Sequence, residues 1–372
     1  MLSSLAAPLI ALTWQQVVMT GVGLALMYLA IAKDFEPNLL LPMGFGTLLV
    51  NLPLSSALTQ GLTEGALSML FRVGIETELF PLLIFIAVGA MCDFTPLLAN
   101  PRMFLFGLTA QAGIFLTMGL ALLLGFDLHE SASIGIIGAA DGPTSIYVSN
   151  RFAPHLLGPI SVAAYTYMAL VPLIQPPVIR LMTTAKERSM KMVYAHREIS
   201  RKRLIAFPIA VTVVAGLIAP ASVALLGFLM FGNLLRVSGC TDRLSRAAQN
   251  ELANIVTILL GFSISAVMTG DRFIRPETLL IISMGLVAFI LDTAGGVLSA
   301  KVLNLFLSEN QRINPMIGAA GISAFPMSSR VVQRLGQQVD ASNFLLMHAV
   351  GANVSGQIGS VLAGGLLLAF LS

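Results

Sequence analysis

The chain has 372 residues, 56% of them hydrophobic and 10% charged, with a mean hydropathy of +0.87. An ordinary soluble protein is about 25% charged, so the composition excludes a water-soluble enzyme and a disordered chain alike. The formal charge of +3 comes mostly from one loop and gives no sign of a nucleic-acid partner. What remains is an all-α polytopic membrane protein, in which about 20 residues per crossing leave no room for a separate soluble domain.

Uncharged runs mark the segments in chain order, because a bilayer core offers backbone groups no water and forces each crossing into a self-satisfied helix. The long runs are residues 1–32, 37–63, 103–126, 156–179, 204–235, 252–270 and 341–372. Shorter or interrupted stretches cover 79–92, the two half-segments around Asp141, and 313–329. The run from Leu204 is long for one helix and is expected to split near Pro220, which brings the expectation to about twelve segments. The N-terminus lacks the basic region of a cleaved signal peptide and is expected to be unprocessed. Cys92 and Cys240 form neither a disulfide framework nor a zinc motif.

Residues 180–203 carry eight Lys or Arg against two Glu, which marks that loop as cytoplasmic. A weak repeat joins the halves at an offset near 180 residues. Gly138-Ala139-Ala140 recurs as Gly318-Ala319-Ala320, Ala112-Gly113 as Ala294-Gly295, and Met91 with Asp93 as Met268 with Asp271. The expected division is a first membrane repeat over 1–180 with a broken segment at 131–150, a basic loop at 181–203, and a second repeat over 204–372 with a broken segment at 313–329. If the segment holding Asp141 is re-entrant, the acidic connections 64–78 and 127–130 fall outside and the basic connections of the second half fall inside, so an inverted repeat fits the charges better. Both termini are then expected outside.

The sharpest chemical feature is Gly138-Ala139-Ala140-Asp141-Gly142-Pro143, an aspartate in a Gly/Pro-interrupted apolar stretch. Gly142 and Pro143 are expected to break the helix and free carbonyls beside the carboxylate, which together are oxygen ligands for a hard cation. An intramembrane ionisable residue costs about 2.5–3.5 kcal/mol on insertion scales and is a functional candidate by default; the bland alternative is that Asp141 caps a half-helix. In the matching stretch Asn314 and Ser323 offer neutral oxygens among Gly318, Gly321, Pro315 and Pro326, against plain small-residue packing. Arg330 either holds an anionic substrate or anchors the topology. Tyr165 and Tyr167 offer a phenol for proton transfer or simply pack. Asp292 is a second ion or proton carboxylate, or a group paired with Lys301 near the mouth. Asn353 and Ser360 lie in the Gly-rich last segment, where ion coordination could explain Asn353. Nucleotide-loop and HExxH motifs are absent, and the contexts of Asp141 and Asp292 do not resemble those of intramembrane aspartyl proteases.

The stretches GAADGPTSIYVSN, VAAYTYMALVPLIQPP, NELANIVTILLGFS, NPMIGAAGISAFPMSSRVVQ and NFLLMHAVGANVSGQIGS closely resemble the beta subunit of the sodium-pumping, biotin-dependent decarboxylases, which include the oxaloacetate, methylmalonyl-CoA and glutaconyl-CoA enzymes. The similarity runs from about Lys33 to the end of the chain. It implies a translocase subunit in the cell's inner or plasma membrane, active only within its complex. That subunit accepts carboxybiotin carried by a partner, decarboxylates it with consumption of a proton, and moves sodium outward. The resemblance carries the family's essential aspartate onto Asp141, its membrane tyrosine onto Tyr167, its sodium-ligand group onto Asn314, Gly318 and Ser323, and its functional arginine, which meets carboxybiotin, onto Arg330. Asn353 matches a polar position of the last motif and joins the expected sodium ligands. The resemblance further implies an inverted-repeat, elevator-type fold in a beta-subunit trimer, with an alpha subunit for carboxyl transfer and biotin carriage, small gamma or delta subunits, and membrane lipid around it. The family's usual GGADGPT is GAADGPT here, GAMTDF is GAMCDF, and Glu76-Thr77-Glu78 replaces small or apolar residues. The competing reading is a secondary sodium-coupled transporter of a small anion; a merely structural membrane subunit comes third.

Overall fold

A computed structural model describes residues 11–192 and 198–371, and among them the chain is helical, with a single isolated β-bridge between Gln60 and Thr63. Among the described residues five helices are long and apolar enough to cross a membrane, and seven spans result if two bent pairs each count as one. The start of the first expected run, residues 1–10, and part of the basic loop, residues 193–197, lie outside the described residues.

Helix α1 (Trp14–Lys33) begins at a Thr13 capping box and ends where Asp34 turns left-handed. Helix α2 (Pro37–Asn51) returns against it, crossing where Gly23 and Gly44 meet; a Cβ on either would lie 2.8 or 2.7 Å from the other's carbonyl oxygen. The uncharged run to residue 63 is therefore only partly helical, since residues 52–65 form turns. Lack of charge marks chain that is compatible with the membrane, whether or not it is helical. After a π-helical turn comes α3 (Leu79–Met91), bent 63° from the preceding helix. Span α4 (Pro101–Leu123) follows, then α5 (Leu128–Gly135) and α6 (Gly142–Phe152). Helices α7 (Leu157–Ala169) and α8 (Val171–Met182) form the second bent pair. Helix α9 (Arg201–Ile218) does stop before Pro220, and α10 (Val223–Ser238) starts after a short 3-10 turn. The rest comprises α11 (Ala253–Ser265), the 30-residue α12 (Pro276–Leu305), α13 (Met316–Ala319), α14 (Met327–Val339) and α15 (Leu346–Leu371).

Small residues set the packing directions. Pro42, Gly46 and Asn51 of α2 meet Gly261, Ser265 and Gly270 in order, so α2 and α11 run the same way. Ile86, Gly89 and Met91 of α3 likewise meet Gly232, Asn233 and Arg236, so α3 and α10 run the same way. Contacts also sort the connections into two ends. At one, Arg188 and Met190 of the basic loop meet Asn314, and Lys191 pairs with Asp340 at 2.9 Å. At the other, Gln15 abuts Gly270, His155 meets Glu130 at 2.9 Å, and His129 meets the Leu371 carbonyl. Trp14 and Leu371 thus lie at the end away from the basic loop.

Two segments enter and leave on the same side. The outer hairpin, α5 and α6, starts at Glu130 and returns to His155 beside it. The inner hairpin, α13 and α14, starts at Asn314 by the basic loop and returns to Asp340 by the same loop. Their tips meet in the interior, where the Ser323 amide donates to the Ala139 carbonyl at 3.1 Å.

Candidate functional site

The outer hairpin breaks two residues earlier than the Gly/Pro pair suggests. Ala140 is the left-handed residue, with φ +52, and Gly142 and Pro143 occupy the first turn of α6, where proline's missing amide costs nothing. Asp141 is the N-cap: Oδ1 accepts from the Thr144 amide at 3.2 Å. The capping role foreseen as the bland reading is therefore real, and it occupies only one oxygen. Oδ2 accepts from the Ser323 hydroxyl at 3.1 Å and from the Ser360 hydroxyl at 2.6 Å, and the two hydroxyls are 3.0 Å apart. Asp141 is 4% exposed, and among the described residues no ion pair reaches it.

Helix α15 completes the cradle. Asn353 donates to the Ile322 carbonyl at 2.7 Å and Gln357 donates to the Ser323 carbonyl, so the stretched tip of the inner hairpin is held by side chains instead of helical bonds. Among the described residues the buried Asn353 Oδ1 has no partner, while its amide nitrogen holds the residue next to Ser323. Such an orphan can take a water or an ion as its partner. A cavity of about 520 Å³ reaches from Glu36 and Arg330 at the basic end to Asp141, Tyr165 and Ser323. Glu36, in the turn between α1 and α2, has its carboxyl pushed up by burial, with the Arg330 guanidinium opposing that shift.

The sequence-expected residues do not all meet. Asp141 and Ser323 touch, and Asn353 holds the residue next to Ser323. Asn314 stands at the foot of the inner hairpin, where its amide nitrogen donates to the Met190 carbonyl at 2.8 Å and its oxygen accepts from the Met316 amide at 3.0 Å. Gly318 is pressed against Gly296 of α12, where a Cβ on either would overlap the other's carbonyl. Tyr167 donates to the Ile282 carbonyl of α12. It is Tyr165 whose ring lies over Gly142 and lines the cavity, with a buried hydroxyl that has no partner. Gln175, between the paired prolines and Tyr167, ties the inner hairpin through Ala319 and Ser328, each at 2.8 Å.

Gln357 is not among the residues the sequence singles out, and Ser360 is named there without a role. A signal was present: Asn353, Gln357 and Ser360 are spaced four and three apart, one polar stripe along an otherwise apolar helix.

A profile of the family described as the Na+-transporting oxaloacetate decarboxylase beta subunit matches residues 15–371. The methylmalonyl-CoA decarboxylase beta subunit of Veillonella parvula is 51% identical, over 98% of this chain and 95% of the relative. The glutaconyl-CoA decarboxylase beta subunit of Acidaminococcus fermentans is 50% identical, over 97% and 95%. The oxaloacetate decarboxylase beta chain of Klebsiella pneumoniae is 44% identical, over 96% and 95%. With apolar spans, a buried carboxylate at two opposed hairpin tips and similarity along almost its whole length, this chain belongs to the beta-subunit family of the sodium-transporting decarboxylases and is an integral membrane protein.

Proposed function

We propose that this subunit decarboxylates carboxybiotin brought by a partner subunit, consumes one proton, and couples that step to sodium export. The observation that carries the reading is the Asp141 carboxylate held by Ser323 of the other hairpin and Ser360 of α15. A carboxylate, two hydroxyls and the spare Asn353 oxygen are the ligand chemistry of a hard cation, so sodium is the cargo bound there. Asn314 and Gly318 then act by shaping the hairpin that delivers Ser323. Sodium cancels the charge that makes moving Asp141 through an apolar interior costly.

The carboxybiotin is read as entering the cavity from the basic, cytoplasmic end, where Arg330 offers a planar fork to its carboxylate. Decarboxylation breaks the carbon–nitrogen bond, releases CO2 and leaves the biotin nitrogen to take a proton. That proton follows sodium departure through Asp141. Tyr165, beside the Asp141 helix start, is the nearer phenol to pass it on, while Tyr167 is the one the family motif points to. Alpha and gamma-type subunits supply the biotin carrier and the assembly, with beta subunits as a trimer in lipid.

We also read the two halves, 1–180 and 204–372, as an inverted repeat joined by the cytoplasmic loop 181–203, working by an elevator-type motion. Supporting this, α2 pairs with α11 while α3 pairs with α10, a reciprocal exchange between halves. The paired broken segments 131–150 and 313–329 also enter from opposite ends. In liposomes holding the whole complex, Asp141→Asn should abolish radioactive sodium uptake driven by decarboxylation. Arg330→Lys should weaken carboxybiotin use more than sodium binding. Retained uptake in Asp141→Asn would overturn the assignment.

A further inference from the structure

A second carboxyl lies behind the outer hairpin. Asp292, in the middle of α12, is 0% exposed, and among the described residues no side chain hydrogen-bonds to either oxygen. Its expected partner Lys301 is engaged elsewhere, with Glu187 at 3.0 Å. The donors that face it are backbone amides, those of Gly113 and Ile114 in the first turn of the helix that starts at Ala112. The carboxyl sits between two glycines. A Cβ on Gly138 would lie 2.6 Å from Oδ2, and one on Gly113 would overlap Oδ1.

No cation faces it. The span α4 contributes Gln111 and Thr117 and the inner hairpin contributes Ser323 and Ser328, all buried and neutral, while Arg330 and Arg334 of α14 are exposed and Arg330 lines the cavity of Asp141. On α7 the titratable groups are Tyr165, which lies over Gly142 and lines the Asp141 cavity, and Tyr167, bonded to Ile282. On α8 the neutral Gln175 is bonded to the inner hairpin, and Arg180 reaches Gln338 at the basic end. In the outer hairpin Asp141 is held by the two serines, while His129 and Glu130 are bonded at the far mouth. A carboxylate buried without a partner is costly enough that the group takes a proton or a metal ion instead. A hard cation needs a shell of oxygens, whereas this carboxyl is pressed by Gly113 and Gly138 and faced by backbone amides, which are donors and not cation ligands. A proton needs no such space.

We propose that Asp292 is a proton-binding site separate from the sodium cradle at Asp141. With Gly138 packed on it the carboxyl keeps its proton, and withdrawal of the outer hairpin tip opens it to water so that the proton exchanges. The same 3-10 turn, Ile136–Ala139, thus lies between two carboxyls, and one movement of it acts on sodium at one and on a proton at the other. This rests on the transport reading for the movement of the hairpin, and leaves the protonation of Asp292 testable by itself.

Infrared spectra of the purified whole complex at neutral pH, with and without sodium, test it in wild type, Asp292→Asn and Asp141→Asn. The expected result is a protonated-carboxyl C=O band that is present in wild type and Asp141→Asn, lost in Asp292→Asn, and unmoved by sodium. If Asp292→Asn does not assemble, Asp292→Glu keeps the acid and should displace the same band. A spectrum with no band assignable to residue 292 would overturn the proposal. So would a band assigned to it that disappears when sodium is added to Asp141→Asn, since Asp292 would then be a sodium ligand itself. Failure of the Asp141 assignment would show separately, as sodium uptake retained in Asp141→Asn with the Asp292 band unchanged.

Discussion

The hydroxyl of Ser360 donates to Asp141 Oδ2 at 2.6 Å across 219 residues of sequence, tying the last helix to the tip of the outer hairpin. Hydrogen bonds to a charged group contribute about 1.5–3 kcal/mol. Ser360→Ala should therefore raise the sodium concentration for half-maximal decarboxylation about 10- to 100-fold, with the complex still assembled. An unchanged sodium dependence would remove Ser360 from the cradle.

The two tyrosines should separate. Tyr165→Phe removes a buried hydroxyl that has no partner, so stability should hold or rise slightly, while the sodium or pH dependence of turnover shifts. Tyr167→Phe removes the bond to Ile282 and should cost about 1 kcal/mol of stability. Thermal melting of the purified complex beside a pH profile of turnover distinguishes them. A larger turnover defect in Tyr167→Phe with unchanged melting would favour the residue marked by the family motif.

Gly318 offers a cleaner contrast between coordination and packing. Gly318→Ala keeps every backbone oxygen, so a purely coordinating role would tolerate it. Its methyl group would meet the Gly296 carbonyl of α12, where neither backbone has a side chain to move aside. Gly318→Ala and Gly296→Ala should each sharply reduce assembled complex and sodium transport, as membrane expression and flux assays would record. Normal flux in both would mean that this crossing is not tight.

At the basic end, Ser342 and the Lys191 ammonium hold the exposed Asp340 carboxyl down to about 2. A lowered carboxyl stabilises the fold above its ordinary value near 3.9 and loses that contribution as pH falls through about 2. Lys191→Met should accordingly leave the pH profile of turnover unchanged between about pH 5 and 8. A shift in that range would tie the loop clamp to the transport cycle.

Much of this architecture was legible from charge alone, since a span must be free of unpaired charge whatever its tertiary neighbours. The hairpin of Asp141 announced itself through an acid beside Gly and Pro, and the split at Pro220 through length. Tertiary position was not legible. Asn314 and Ser323 share one broken segment, yet nine residues of chain carry one to the mouth and the other to Asp141. Ser360 stood out in the last segment but its contact with Asp141 did not, and the choice between Tyr165 and Tyr167 turned on which side of α7 faces the cavity. The pairing of Asp292 with Lys301 could have been set aside beforehand: nine residues on a helix span about 13.5 Å, too far for an ion pair.

The central claim is that Asp141 is where sodium binds, and equilibrium binding of radioactive sodium to the purified complex tests it most directly. Wild type should bind sodium saturably, and Asp141→Asn, assembled to the same extent, should lose that binding. Undiminished binding by assembled Asp141→Asn would contradict the account.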